Sequence, residues 1–134
     1  MTRVVLASRN AKKIAEVRRI LEQAGAPIEL VGLDDLAVDV TDVPETGATF
    51  AENARIKAQA VLDQTGIPAL ADDSGLTVEA LNGMPGVLSA RWSGAHGDDV
   101  ANLNLVLSQI ADVPDERRAA AFVCAVVLVR PGVE

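Results

Sequence analysis

Tyrosine is missing from this 134-residue chain, and the other aromatics amount to Phe50, Phe122 and Trp92. That scarcity leaves little to stack on the bases of a single strand, which argues against a single-stranded nucleic-acid binder. Cysteine occurs once, at Cys124 inside an apolar run, so no disulfide framework is possible; the expectation is a core cysteine in a reducing, cytoplasmic setting. Histidine also occurs once, as His96 in the loop-like Ser93-Gly94-Ala95-His96-Gly97, and one imidazole does not make a metal site. No apolar stretch reaches membrane-spanning length. The longest, Ala119 to Val129, reads as a buried strand, and the amino end reads as that of a folded domain without a secretory signal.

Half of the residues are hydrophobic (49%), enough for one ordinary domain with its own core. The formal charge of −7 argues against duplex nucleic acid as a partner. The first twenty residues oppose that trend. They carry Arg3, Arg9, Lys12, Lys13, Arg18 and Arg19 against Glu16 alone. A basic end joined to a carboxylate-bearing middle suits a small, metal-bound polyanion.

Two segments carry the chemistry. Asp72-Asp73-Ser74-Gly75 follows the apolar run Ile67 to Ala71, placing carboxylates at the end of an expected strand. Such oxygens suit Mg²⁺, which takes hard ligands and shares its shell with waters and substrate phosphates. Successive strand residues face opposite sides, so Asp73, beside Ser74-Gly75, is the better candidate for the site, with Asp72 a supporting or secondary ligand. The second segment is Ser8-Arg9-Asn10-Ala11-Lys12-Lys13, between the strand around Val4 to Ala7 and a helix marked by Ile14, Val17, Leu21 and Ala24. Asn10 is the expected N-cap. Lysines in a first helical turn meet the positive end of the macrodipole, a conflict that a bound phosphate would relieve. A surface helix that merely begins with lysines would read the same, and the P-loop pattern is absent.

The remaining pattern predicts strands over 3–8, 28–32 and 67–72, a short element over 76–81, and a strand over 119–130. Helices are expected over 11–24, 49–65 and 98–111, with a loop over 34–48 and a turn at Asn82-Gly83-Met84-Pro85-Gly86. This alternation implies an α/β layer structure, read as a single domain over 1–134. Thr49-Phe50-Ala51-Glu52 is a capping box, and Phe50, Ala54, Ala58 and Val61 form a core stripe. Asn53 and Lys57 share a polar face. If the loop carrying Glu45 folds toward strand 67–72, Glu45 could be a second metal ligand and Lys57 could neutralise phosphate; a solvated acid and a solvated lysine would fit the spacing equally.

Four segments in this order resemble the non-canonical purine nucleoside triphosphate pyrophosphatases, the ITP/XTP pyrophosphatase family. They are Ser8 to Lys13; Glu45-Thr46-Gly47-x-Thr49-Phe50-x-x-Asn53-Ala54-x-x-Lys57-Ala58; Ala71-Asp72-Asp73-Ser74-Gly75-Leu76; and Pro85-Gly86-x-x-Ser89-Ala90-Arg91. The resemblance implies an ITPase-like fold of the Maf/ITPase superfamily, a mixed β-sheet flanked by helices. It implies Mg²⁺-dependent cleavage of ITP, dITP and XTP to the monophosphate and pyrophosphate by a cytoplasmic homodimer. It assigns Ser8, Arg9, Asn10, Ala11, Lys12 and Lys13 to the triphosphate and Glu45 to the metal. Asp73 becomes metal ligand and proton acceptor, while Lys57, Ser74 and Arg91 become substrate contacts. Arg9 stands where the family commonly has glycine, so its side chain is expected to point to solvent. Trp92 is open to an interface or packing role or to base stacking.

The family's later Gly-Tyr-Asp-Pro and Ser-His-Arg segments, which read the purine, do not occur, so the chain is expected to be a partial one. Its ending at Arg130-Pro131-Gly132-Val133-Glu134 resembles a turn. Loss of those segments implies weakened preference for ITP or XTP over ATP and an exposed strand edge. A Maf-type nucleotide pyrophosphatase and a catalytically silent nucleotide-binding fragment are the alternatives.

Overall fold

Val4, Val5 and Leu6 are buried in succession, which a strand allows only when both its faces are covered. In the computed structural model, which describes residues 1–132, they belong to β1 (Thr2–Leu6). Val4 and Leu6 pack with Leu30 and with Ile14, Val17 and Leu21 of helix α1 (Ala11–Gln23). Val5 faces the other way, into a core with Val31, Ala69 and Ala71 and with Ala58 and Val61 of helix α2 (Phe50–Thr65).

β1 pairs in parallel with β2 (Ile28–Gly32), in the register Val4↔Leu30 and Val5↔Val31. It pairs in parallel with β3 (Ala69–Val78) through Val5↔Ala69 and Leu6↔Leu70. With β4 (Ala120–Val129) these strands form one mixed sheet in the order β2-β1-β3-β4. The described chain divides into two compact units: Met1–Gly47 with Ala51–Asp72 and residues from Val126 on, and Ala48–Phe50 with Asp73–Ala125. The second unit has its own core, where Leu76 and Val78 meet Val106 and Ile110 of helix α3 (Asp99–Gln109).

The helices and β2 match the sequence pattern to within two residues. β3 does not. The expected break before residue 76 is absent, and one ten-residue strand runs through Asp72-Asp73-Ser74-Gly75 into a 3₁₀ turn at Glu79–Leu81. Gly75 reads as a turn glycine, yet its role is close approach. A Cβ there would lie 2.6 Å from Ser89 Oγ, 2.7 Å from the Gly86 carbonyl oxygen and 2.9 Å from Phe50 Cε1. The expected turn at 82–86 is present, with Asn82 in the left-handed region (φ 54°) before Gly83. A 3₁₀ helix at Gly86–Arg91 follows, without a periodic apolar signal.

β4 also departs from expectation. Only its carboxyl-terminal part is covered, and on one side: Val127 and Val129 pack on the Val5 core while Val126 and Leu128 face outward, and Phe122 (88% exposed), Val123 and Cys124 are all exposed. Cys124 is therefore exposed, not core. An apolar run predicts burial on both faces only for a strand covered on both, and β4 stands at the end of the strand order. The expected turn near the end is seen at residues 131 and 132; Val133 and Glu134 lie outside the described residues. No helix among the described residues is long and apolar enough to cross a membrane.

Replacing Gly75 by alanine forces a methyl group against a hydroxyl, a carbonyl and an aromatic edge. Overpacking of this kind costs about 1–3 kcal/mol, so urea unfolding of Gly75→Ala should show a clear drop in midpoint. An unchanged midpoint would mean that this approach is not tight.

Candidate functional site

Where β1 ends, the chain turns back, with Ser8 N–H donating to the Leu6 carbonyl at 2.7 Å, before α1 begins at Ala11. Asn10 is the N-cap: its Oδ1 accepts from Lys12 N–H at 3.1 Å and Lys13 N–H at 3.2 Å. Ser8 Oγ accepts from Asn10 N–H at 3.0 Å. Cap and anion cradle thus compete, since these amides already have acceptors. Arg9 is exposed, as expected, yet anchored. Its guanidinium donates to Asp34 Oδ1 at 2.7 Å and to the Val40 carbonyl at 2.8 Å, and the Asp34 bond raises its pKa further. Ala11 and Lys12 are exposed, whereas Lys13 is partly buried and its Nζ forms an ion pair with Asp72 Oδ1. The dipole conflict at Lys13 is therefore met by a carboxylate of the protein itself.

The β1–β3 ladder explains what happens beside it. Val5 N–H donates to the Pro68 carbonyl and Ala7 N–H to the Leu70 carbonyl, both at 2.9 Å. The next carbonyl on that edge belongs to Asp72, and its ladder partner would be the amide of residue 9. The chain has already turned into α1 by then. Lys57, on α2, takes the vacant role by donating from Nζ to the Asp72 carbonyl at 2.8 Å. The same Nζ lies 3.1 Å from Glu45 Oε1. Glu45, Lys57, Asp72 and Lys13 thus converge at the carboxyl ends of parallel strands, where open α/β sheets bind their ligands.

Glu45 lies in a segment without regular structure, held also through Gly47, whose N–H donates to Asn53 Oδ1 at 2.7 Å. Glu45 and Lys57 line a cavity of about 250 Å³ together with Ala7, Val40, Asp42 and Val61. Among the described residues no three His, Cys, Asp or Glu side chains gather as a cage for a metal ion. The carboxylates of Glu45 and Asp72 are hard oxygen donors, and a donor set this small fits Mg²⁺ only when phosphate and water complete the shell.

In the second unit, strand alternation sends the Asp73 side chain to the face opposite that of Asp72, because β3 does not break between them. Asp73 Oδ2 is buried, whereas Ser74 is exposed. Immediately beyond, the strand is fastened by Ser89: Leu76 N–H donates to Ser89 Oγ at 3.0 Å, and Ser89 Oγ donates to the Gly86 carbonyl at 2.6 Å. Arg91 ends the same 3₁₀ helix, exposed. Its segment is tied to α3 by Asn102, which accepts from Ser93 N–H at 2.7 Å and donates to the Ala90 carbonyl at 3.0 Å. Trp92 packs into the Val106 core and donates from Nε1 to Gln109 Oε1 at 2.9 Å, so it is a packing residue here. His96 lies in an exposed turn.

A family model described as Ham1 family matches residues 4–134. The chain belongs to the Ham1 family. The dITP/XTP pyrophosphatase of Nocardia farcinica is 64% identical over 133 residues, 98% of this chain and 64% of that protein. The dITP/XTP pyrophosphatase of Streptomyces coelicolor is 60% identical, covering 98% of this chain and 65% of that one. The chain spans just under two thirds of the length of these relatives. Among solved structures, a nucleoside-triphosphatase/dITP/XTP pyrophosphatase from Mycobacterium abscessus superposes with a TM-score of 0.87 at 57% identity, covering 99% of this chain and 68% of its own. A HAM1 protein from Coxiella burnetii gives 0.87 at 42% identity, covering 97% and 64%. The Ham1 fold is thus that of this chain, as the four ordered segments implied.

Three residues hold this Ham1-family chain's candidate groups in place: Asn53, read only as sharing a polar face with Lys57 but in fact buried, and Ser89 and Asn102, which the sequence reading gave no role. Asn53 and Ser89 fall inside the quoted segments, but only the packing reveals what they bond. Asn102 shares its apolar surroundings with Val106, one turn on, and carries no motif.

Asn102 is 7% exposed and satisfies two backbone groups. Asn102→Leu leaves a donor and an acceptor without it and should cost about 1–3 kcal/mol. Glu45→Gln, which weakens a half-exposed ion pair, should cost about 1 kcal/mol or less. Urea unfolding of both variants checks the order; the reverse ranking would contradict this account.

Proposed function

We propose that this chain hydrolyses non-canonical purine nucleoside triphosphates (ITP, dITP and XTP) to the monophosphate and pyrophosphate, with Mg²⁺ as cofactor. The observation that carries the reading is the convergence of Lys13, Lys57 and Glu45 on Asp72 at the strand ends. The names of the relatives at 56–64% identity support it. In the reaction, a water oxygen bonds to the α-phosphorus while the bond from that phosphorus to the bridging oxygen breaks. The water's proton passes to the Asp73 carboxylate, and pyrophosphate departs with the electron pair of the broken bond.

Glu45 and Asp72, which share the strand-end cluster, would hold the ion, which supplies neutralisation of phosphate charge and a more acidic water; Asp73, on the other face of the unbroken β3, would join as ligand and proton acceptor once the strand turns locally there. Lys57 and Lys13 bind phosphate oxygens. Ser8, Arg9, Asn10, Ala11 and Lys12 follow the triphosphate, and Ser74 and Arg91 add substrate contacts. Of these, Arg9 contributes through the loop that it braces against Asp34 and Val40 or after release from it. A homodimer in the cytoplasm, acting on small-molecule triphosphates and not on nucleic acid, goes with this reading.

Mg²⁺-dependent product formation from ITP, XTP, dTTP and ATP tests it. The expected products from ITP and XTP are the monophosphate and pyrophosphate. Release of orthophosphate, or no turnover, would overturn the assignment, and faster cleavage of dTTP would favour a Maf-type activity. Within that assay Asp73→Asn should lower turnover by roughly 10²- to 10⁴-fold, the usual contribution of a positioned general base. Near-normal turnover in that variant would remove Asp73 from the mechanism.

A further inference from the structure

On the pyrophosphatase reading Glu45 meets the metal, yet its segment has no strand or helix of its own to aim it. Its ion pair with Lys57 joins two flexible, partly exposed side chains, which fixes a carboxylate poorly. A second contact is better suited to the task. Asn53 is 3% exposed, in a helix whose neighbouring inward positions are Ala54 and Ala58. A buried amide is costly unless its polar atoms are bonded, and here Oδ1 accepts the Gly47 N–H at 2.7 Å. The loop lies directly on that side chain: a Cβ on Gly47 would stand 2.7 Å from Asn53 Oδ1 and 2.7 Å from Glu52 Cβ. Asn53 and Lys57 are one helical turn apart, so one face of α2 grips the loop twice, by its backbone at 47 and by its carboxylate at 45.

We infer that Asn53 is a positioning residue: by accepting the Gly47 N–H it fixes the 44–47 segment and thereby aims the Glu45 carboxylate for metal binding. This inference rests on the role of Glu45 in the proposed function. A partner that orients a ligand without touching the metal acts mainly on metal affinity, with losses of about 10- to 100-fold when it is removed. Nucleotide contacts made elsewhere should be little affected once metal is saturating.

Asn53→Leu removes the acceptor at similar volume, and Asn53→Asp restores it. Gly47→Ala pushes the loop away while leaving Asn53 in the helix, and it carries the test if Asn53→Leu fails to fold. Two measurements apply to each variant: hydrogen exchange of the Gly47 amide, and the Mn²⁺ concentration needed for half-maximal binding of a non-hydrolysable ITP analogue, followed by the electron paramagnetic resonance of free Mn²⁺. Asn53→Leu should speed exchange at least about tenfold, and both Asn53→Leu and Gly47→Ala should raise the Mn²⁺ requirement about tenfold. Asn53→Asp should stay close to the unaltered protein in both, and binding at saturating Mn²⁺ should change less than about twofold in all three. Faster exchange with an unchanged Mn²⁺ requirement overturns the inference. So does unchanged exchange in Asn53→Leu, or an equal loss in Asn53→Asp. If the unaltered protein binds the analogue with Mn²⁺ but releases no pyrophosphate from ITP, the proposed activity fails while these measurements still decide the role of Asn53. Absence of Mn²⁺-dependent binding overturns both.

Discussion

The Lys57 ammonium group does two jobs that the backbone leaves undone. β1 and β3 separate where the chain turns into α1, and the Asp72 carbonyl is the first on that edge without an amide opposite it. A polar group at such a point must find another donor or remain in water. Lys57 supplies the donor at 2.8 Å and has N–H groups left to meet Glu45 at 3.1 Å. Because its stem leaves a helix whose next inward positions are Ala58 and Val61, the charge is held at the end of a rigid, packed element. The opening of the sheet and the gathering of charge are therefore one event, and the candidate site exists because the ladder stops there.

That dependence also explains why some of the site was legible in sequence and some was not. Asn10 before a helical periodicity reads correctly as a cap because capping is local: the side chain bonds amides two and three residues on. Glu45, Lys57 and Asp72 are linked through tertiary contacts, so spacing alone left a solvated acid and a solvated lysine equally admissible. Gly75 shows the opposite failure. Glycine in a polar tetrapeptide signals a turn, but here it stays extended and is required by Ser89, Gly86 and Phe50 closing on it. A sequence carries the need for a small residue; it does not say whether chain reversal or close packing creates that need.

The apolar run of β4 illustrates a different limit. Hydrophobicity of Ala119 to Val129 predicts a strand correctly, and it predicts burial only if both faces find cover. Val127 and Val129 find it; Phe122, Cys124, Val126 and Leu128 do not. Cys124 lies in the amino-terminal half of the strand, where residues 120–124 are exposed on both faces, so lack of cover decides its exposure. By contrast, two polar residues, Asn53 and Asn102, are buried on their helices, Asn53 although the spacing put it on a polar face with Lys57. Each is a polar group taken out of water, and each fastens a segment bearing a candidate group, Glu45 in one unit and Arg91 in the other. Departures from the hydrophobic pattern thus mark what the pattern itself cannot show.

Charge completes the argument. In the structure Lys13 and Lys57 are balanced by Asp72 and Glu45, so the strand ends hold two cations and two anions at close quarters with no large net field. An arrangement of that kind is stable without a ligand, which an exposed cluster of lysines at a helix start would not be. It also suits a ligand that brings both signs together. A free triphosphate would have to displace the carboxylates from the lysines and leave them facing its own negative charge. A magnesium nucleotide offers the carboxylates a cation and the lysines an anion, so neither partner set is stranded when the internal pairs open. On the proposed reading, a joint need for metal and polyanion would follow from the pairing of Lys13 with Asp72 and of Lys57 with Glu45, and in this chain that pairing is the strongest physical link between the fold and the proposed reaction.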